Sequence, residues 1–161
     1  MRRAVEELNL AAPRIALSAR GQGFVGVPVW LWLTDGQATT SPASATAAVG
    51  AASVTATARL MSVEWALGPP GARVLCAGPG TPWTGQPGPS PDCGYTYELR
   101  SLPERTGGTG RWPISATTHW QVDWQGTSAG VPVAGQETLA LSTSTALPVG
   151  ELQALVTGGE Q

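Results

Sequence analysis

The segment WPISATTHWQVDW, residues 112–124, decides the fold class because its side chains alternate in character from one position to the next. Such an alternation is typical of a strand that has one face in a core and the other in water, whereas a helix repeats its apolar residues every three or four positions. The segment therefore predicts a long antiparallel strand. One face is expected to carry Trp112, Ile114, Ala116, Thr118, Trp120, Val122 and Trp124, and the other Ser115, Thr117, His119, Gln121 and Asp123.

The same two-residue period continues on both sides of this segment, at residues 24–33, 53–60 and 137–147. Gly- and Pro-rich stretches separate the periodic segments, and about eight strands at this spacing predict an all-β fold, a β-sandwich. Residues 39–52 read as a small-residue loop or a weak strand, 125–136 as a turn and 151–156 as a last strand. We divide the 161 residues into an N-terminal extension, 1–22, with a short amphipathic helix over 4–9, and a sandwich domain, 23–159.

Composition and charge exclude two classes of partner. Charged residues make up 12% of the chain and the net charge is −2, without a basic stripe, so nucleic acid is not an expected partner. No run of 18 apolar residues occurs, so no membrane span is expected. Residues 1–20 lack the apolar stretch of a signal peptide, so a leader is not expected within this chain.

Cys76 and Cys93 flank the least regular part of the chain, residues 77–92, which is dense in Pro and Gly. Three alternatives exist for this pair: a disulfide, two free thiols or a metal site. A metal site is disfavoured because two thiols and the single His119 do not complete a tetrahedral ligand set. We expect a disulfide, no metal and no cofactor, and a disulfide implies an oxidising compartment outside the cytosol.

Tryptophan is the unusual component of this sequence, with seven Trp against one Phe and two Tyr. Alternation places Val25, Val27, Val29, Leu31 and Leu33 on a core face and leaves Trp30 and Trp32 on the opposite face. Three alternatives exist for what covers Trp30 and Trp32: the flanking residues 1–20 or 37–50, a partner chain, or a sugar ring stacked on the indoles. Trp83 lies inside the irregular segment. We predict Trp30, Trp32 and Trp83 as the binding residues.

Catalytic motifs are scarce. The sequence has one His and lacks GxSxG, HExxH and a phosphate-binding GK[ST] loop. An enzyme could still combine His119 with Asp123 and the hydroxyl of Ser115 or Thr117, but a solvated strand face explains these residues more simply. The other enzymatic alternative is glycoside hydrolysis by two carboxylates that meet in space. The candidates are Asp35, Glu64, Asp92, Glu98 and Asp123.

Residues 53–124 resemble a PKD domain, an immunoglobulin-like β-sandwich of extracellular proteins. That family has a strand with W-x-F-G-D-G, then H-T-Y, then G-x-Y-x-V-x-hydrophobic. Here VEWALG at 63–68, YTY at 95–97 and GRWPISA at 110–116 correspond to these motifs. The G-D-G turn is replaced by GPPG at 68–71, so its Asp is missing.

Residues 24–159 are also similar to a group of PKD-like envelope proteins of high-GC Gram-positive bacteria. The matching stretches are VPVWLW at 27–32, SVTATA at 53–58, VLCAGPGTPW at 74–83, SPDCGYTY at 90–97 and ELQALVTGG at 151–159. The resemblance implies an immunoglobulin-like sandwich and an exported protein whose leader is not in this chain. It implies no reaction.

Three functions follow from the sequence. We expect a non-enzymatic extracytoplasmic PKD-like β-sandwich that acts as an interaction or spacer module at the cell envelope, where its partner is another envelope protein or a cell-wall glycan. A glycan-binding module that uses exposed Trp residues is the first alternative. An enzyme of unknown class is the second.

Overall fold

The protein is all-β, with its sheets packed in a sandwich-like arrangement, in a computed structural model that describes residues 2–8, 10–34 and 42–152. These residues form a short helix, a 3-10 turn at Pro103–Arg105 and ten strands. None of the described helices is long and apolar enough to cross a membrane. The elements are α1 (Arg2–Glu7), β1 (Arg14–Leu17), β2 (Gly23–Phe24), β3 (Pro28–Thr34), β4 (Ala43–Val49), β5 (Ala52–Ala66), β6 (Arg73–Cys76), β7 (Gly94–Thr96), β8 (Trp112–Ser128), β9 (Val131–Leu147) and β10 (Val149–Gly150).

The larger sheet has the order β4-β5-β8-β9, and β6 pairs with β5 beyond the end of β4. Its spine is an antiparallel hairpin in which β8 and β9, each of 17 residues, pair from Trp112↔Leu147 to Ser128↔Val131. The long strand predicted at 112–124 is confirmed and its predicted faces are correct, because burial alternates along β8. The predicted turn at 125–136 is wrong: strands fill most of it, and only Ala129 and Gly130 form the turn.

The second layer consists of two small sheets. One has the antiparallel order β1-β3-β7, so β3 has a neighbour on each edge, and the other is a parallel pair of β2 and β10. Val29, Leu31 and Leu33 of β3 join one core cluster with Trp65, Trp112 and Trp120 of the larger sheet. Trp112 and Trp120, predicted to lie on the buried face of the long strand, are 3% and 2% exposed, and Trp65 of β5 is 0% exposed. Trp124 is half-buried and lies against Gly135 of β9.

The N-terminal residues pack onto the two sheets. Helix α1 contacts β4 and β5, and Ala4 and Leu8 are buried there. The short helix predicted at 4–9 is thus present, but it begins at Arg2. Residues 14–17, assigned from the sequence to the extension, form β1 and pair with β3.

Three further sequence expectations concern strands. The stretch at 39–52 contains a regular strand, β4. The expected continuous strand at 24–33 is interrupted, because Gly26 adopts a φ of 84° and the Val27 N–H donates back to the Phe24 carbonyl. The last strand was predicted at 151–156, but residues 151 and 152 do not belong to a strand, and the rest of that segment lies outside the described residues. Asp35, a candidate catalytic carboxylate, and the first part of the 37–50 segment also lie outside the described residues.

The predicted disulfide is confirmed. Cys76, at the end of β6, bonds to Cys93, just before β7, and their Cα atoms are 5.7 Å apart. The two cysteines are 3% and 2% exposed, so the bond lies in the core, while the residues that it encloses, 77–92, form an irregular loop at the surface. We call residues 77–92 the disulfide-closed loop.

Candidate functional site

A cleft of about 350 Å³ lies between the disulfide-closed loop and the chain that leads from β1 into β3. We call it the indole cleft, because Trp30 lines it on one side and Trp83 on the other. Ligand pockets in proteins measure roughly 300–1,000 Å³, so its size suits a small ligand. The lining also includes Ser18, Arg20, Gln22, Phe24, Val27, Gln86 and Gly88.

The disulfide-closed loop is fixed at its two ends and held against β3 by two backbone hydrogen bonds. The disulfide fixes its ends, the Leu33 N–H donates to the Pro79 carbonyl at 2.8 Å, and the Leu31 N–H donates to the Cys93 carbonyl at 3.0 Å. Gly80 has a φ of 90°, and a Cβ there would collide with the Leu31 carbonyl oxygen. Only glycine therefore allows the loop to approach β3 this closely.

Trp30 is enclosed by its own chain. It is 4% exposed, its indole N–H donates to the Gly88 carbonyl at 2.8 Å, and its backbone N–H donates to Ser18 Oγ at 2.8 Å. Of the alternatives for Trp30, cover by its own chain is the one that the structure shows, and the indole N–H is bonded to Gly88 of the disulfide-closed loop, a segment outside residues 1–20 and 37–50. Periodicity identified the two faces of β3 correctly, but it could not reveal that the disulfide-closed loop covers the second face.

Trp83 is half-buried and held in place from within the loop. Its indole N–H donates to the Gln86 carbonyl at 2.7 Å, and the Gln86 amide oxygen accepts from the Thr84 backbone N–H at 2.6 Å. These two bonds close a short turn and fix the indole at the mouth of the cleft. Both indoles use their N–H donors inside the protein, so Trp83 offers a ligand only ring surface, and Trp30, which is 4% exposed, offers very little.

Trp32 lies apart from this site. It pairs with Ala16 of β1, it is half-buried, and Gly80 of the loop approaches its Cα and Cβ. It does not line the indole cleft. The structure therefore brings together two of the three predicted binding residues.

Val27 was predicted to face the core, but it is 41% exposed and lines the cleft. The turn at Gly26 causes this difference, because it breaks the alternation before β3 begins. Sequence reasoning also missed Ser18, Arg20, Gln22, Gln86 and Gly88. The only sequence signal for any of them was the Cys pair that enclosed Trp83, Gln86 and Gly88 in one irregular segment.

The charge in the cleft has one sign. Among the described residues that line the cleft, Arg20 is the only charged one, and none is Asp or Glu. Among the described residues, no carboxylate lies within ion-pair distance of Arg20. The cleft thus offers a cation, two amide side chains and ring surface.

His119, considered from the sequence as a catalytic group, lies on the open face of the larger sheet. Its Nε2 is 3.3 Å from Glu64 Oε1, and Glu64 Oε2 accepts from Arg73 at 2.9 Å. The Thr117 hydroxyl is bonded to Ser142 rather than to His119. Within the described part of the chain, no three His, Cys, Asp or Glu side chains stand close enough together to hold a metal ion.

Comparison of the chain with protein-family models, with curated proteins and with solved structures finds no match.

Proposed function

We propose that this chain is a non-enzymatic PKD-like β-sandwich that works outside the cytoplasm, at the cell envelope, and holds its partner in the indole cleft. The observation that carries the proposal is the cleft itself. Two indoles on separate elements are fixed on its two sides by bonds from their own N–H groups, at 2.8 and 2.7 Å. Preorganised aromatic surface of this kind costs little conformational entropy when a ligand binds.

The proposed location rests on the disulfide. Cys76 and Cys93 are bonded and buried, and disulfides form and persist mainly in oxidising compartments. A disulfide also suits a binding function here, because the loop that it closes forms one wall of the cleft. The PKD-like assignment rests on the motifs at 63–68, 95–97 and 110–116 and on the sandwich-like arrangement of the sheets.

The non-enzymatic role is supported by the placement of the titratable groups. His119 and Glu64 are 41% and 40% exposed on an open strand surface and form a row with Arg73. Among the described residues, no carboxylate or histidine lines the indole cleft. Acid–base chemistry needs such a group within hydrogen-bond reach of a bound substrate.

Cosedimentation with isolated envelope fragments of a high-GC Gram-positive bacterium tests the proposal. The full oxidised chain should sediment with the fragments, and Trp83→Ala should reduce the bound fraction at least fivefold. Leu75→Ala is the matched control, because Leu75 is 72% exposed on β6 and lies outside the cleft. Equal unfolding midpoints would show that both variants fold. Binding that is absent in the wild type, or that is unchanged by Trp83→Ala, would refute the proposal.

A further inference from the structure

We propose that the ligand of the indole cleft is a short saccharide that carries a carboxylate, with a pyranose ring against Trp83 and the carboxylate on Arg20. This inference rests on the proposed function and specifies its ligand. It follows from three properties of the cleft: the aromatic and amide surface that is free to contact a ligand, the pairing of both edges of β3, and the positive charge of Arg20.

The free surfaces favour a sugar. An indole whose N–H is already bonded presents its electron-rich face, which attracts the weakly positive C–H groups on one face of a pyranose ring. The hydroxyls of such a ring need donors and acceptors at its rim, and the amides of Gln22 and Gln86 provide both. Any side chain at residue 150 would displace the Gln22 amide, since a Cβ there would lie 2.6 Å from its nitrogen. Gly150 therefore leaves room for this amide beside the cleft.

The strand edges disfavour a peptide. A peptide that adds to a sheet needs an unpaired edge, but β1 and β7 occupy the two edges of β3. A proline-rich peptide needs donors for its carbonyl oxygens, and the two indole N–H groups cannot serve because the Gly88 and Gln86 carbonyls accept them, which leaves only Arg20 and the side-chain amides. The volume of about 350 Å³ accommodates one or two pyranose rings, at the low end of the range for ligand pockets.

The charge favours an acidic sugar over a neutral one. Arg20 is exposed, has no carboxylate partner among the described residues and is the only charged group of the lining. A guanidinium binds a carboxylate through two parallel hydrogen bonds, which a neutral hydroxyl cannot reproduce. None of the other described lining residues carries a negative charge that would repel such a ligand.

The test uses the full oxidised chain labelled with 5-fluorotryptophan, so that each indole gives one ¹⁹F signal, assigned by single Trp→Phe variants. The probes are trigalacturonate, the neutral chitotriose and a proline-rich decapeptide. Trigalacturonate should shift the Trp83 signal in a saturable way, while the signal of Trp65, which is 0% exposed, stays fixed. Chitotriose should bind about tenfold more weakly, the value expected when one charge-assisted pair is lost.

Two variants complete the design. Arg20→Gln should weaken trigalacturonate binding about tenfold and leave chitotriose binding unchanged, whereas Arg59→Gln, at an exposed position of β5 outside the cleft lining, should change neither. Equal affinity for both sugars, or a Trp83 shift with the peptide alone, would overturn the inference. A Trp83 signal that no sugar moves, together with envelope binding that still requires Trp83, would refute the saccharide and leave the proposed function standing. Envelope binding that does not require Trp83 would refute the proposed function.

Discussion

Removing the disulfide should destabilise the protein by about 3 kcal/mol without unfolding it. Cys76 and Cys93 are 17 residues apart, and cross-linking a loop of that length lowers the entropy of the unfolded chain by an amount worth about 3 kcal/mol at 25 °C. Domains of this size have a free energy of unfolding of roughly 5–15 kcal/mol, so the folded state should remain populated. The double variant C76A/C93A is the suitable change, because both sites are buried and serine would place hydroxyls in the core.

The measurement is guanidinium unfolding followed by far-ultraviolet circular dichroism, on the oxidised wild type, the reduced wild type and C76A/C93A. With a slope of about 4 kcal/mol per molar denaturant, the loss corresponds to a midpoint lower by roughly 0.7 M. Reduction and substitution should give similar shifts, since both release the same loop. If the midpoint of the reduced protein lies within about 0.1 M of the oxidised value, the bond does not restrict the unfolded chain, and this reasoning is refuted.

Three further predictions concern the core, a buried phenol and the hairpin turn. Trp120→Ala should cost about 3–5 kcal/mol, because Trp120 is 2% exposed, whereas Gln121→Ala on the opposite face should stay within about 0.5 kcal/mol; equal effects would contradict the faces of β8. The Tyr97 hydroxyl donates to the Leu67 carbonyl at 2.6 Å, and burial, followed by the neighbouring Tyr95, raises the pKa of Tyr97 far above 10.0. A tyrosine in the unfolded chain ionises near pH 10, so Tyr97 stabilises the folded state below that pH, and this contribution is lost as the pH rises above it. The stability of Tyr97→Phe should therefore depend less on pH in alkaline unfolding. An unchanged pH dependence would contradict the assignment. Ala129 has a φ of 53°, which is strained for alanine, so Ala129→Gly should raise the free energy of unfolding by about 1 kcal/mol in thermal denaturation, and a loss of stability would contradict this.

The strands that alternate strictly could be predicted from the sequence, but the glycines within them misled the reading of the hairpin. Gly126 and Gly135 suggested a turn, yet both lie inside regular strands. A Cβ at Gly126 would overlap the Ser53 carbonyl, and one at Gly135 would overlap the Trp124 ring. These glycines therefore permit close packing between strands. A single sequence does not distinguish this use of glycine from a turn, since the neighbour lies on another strand.

The candidate site was predictable only in part. Trp83 and the Cys pair stood out by residue type, so the loop that forms one wall of the cleft could be identified. The opposite wall could not, because Ser18, Arg20 and Gln22 connect strands and have no periodicity. The burial of Trp30 was equally inaccessible, since its cover at Gly88 is 58 residues away in the chain.

The length of the β8–β9 hairpin has a mechanical consequence. Gly23, which lines the indole cleft, packs against Leu147 and so lies at the end of the hairpin where Trp112 pairs with Leu147, whereas Ala129 and Gly130 form the opposite tip. Seventeen residues in extended conformation span roughly 50 Å. The hairpin thus places its Ala129–Gly130 tip about 5 nm from its other end, beside the indole cleft.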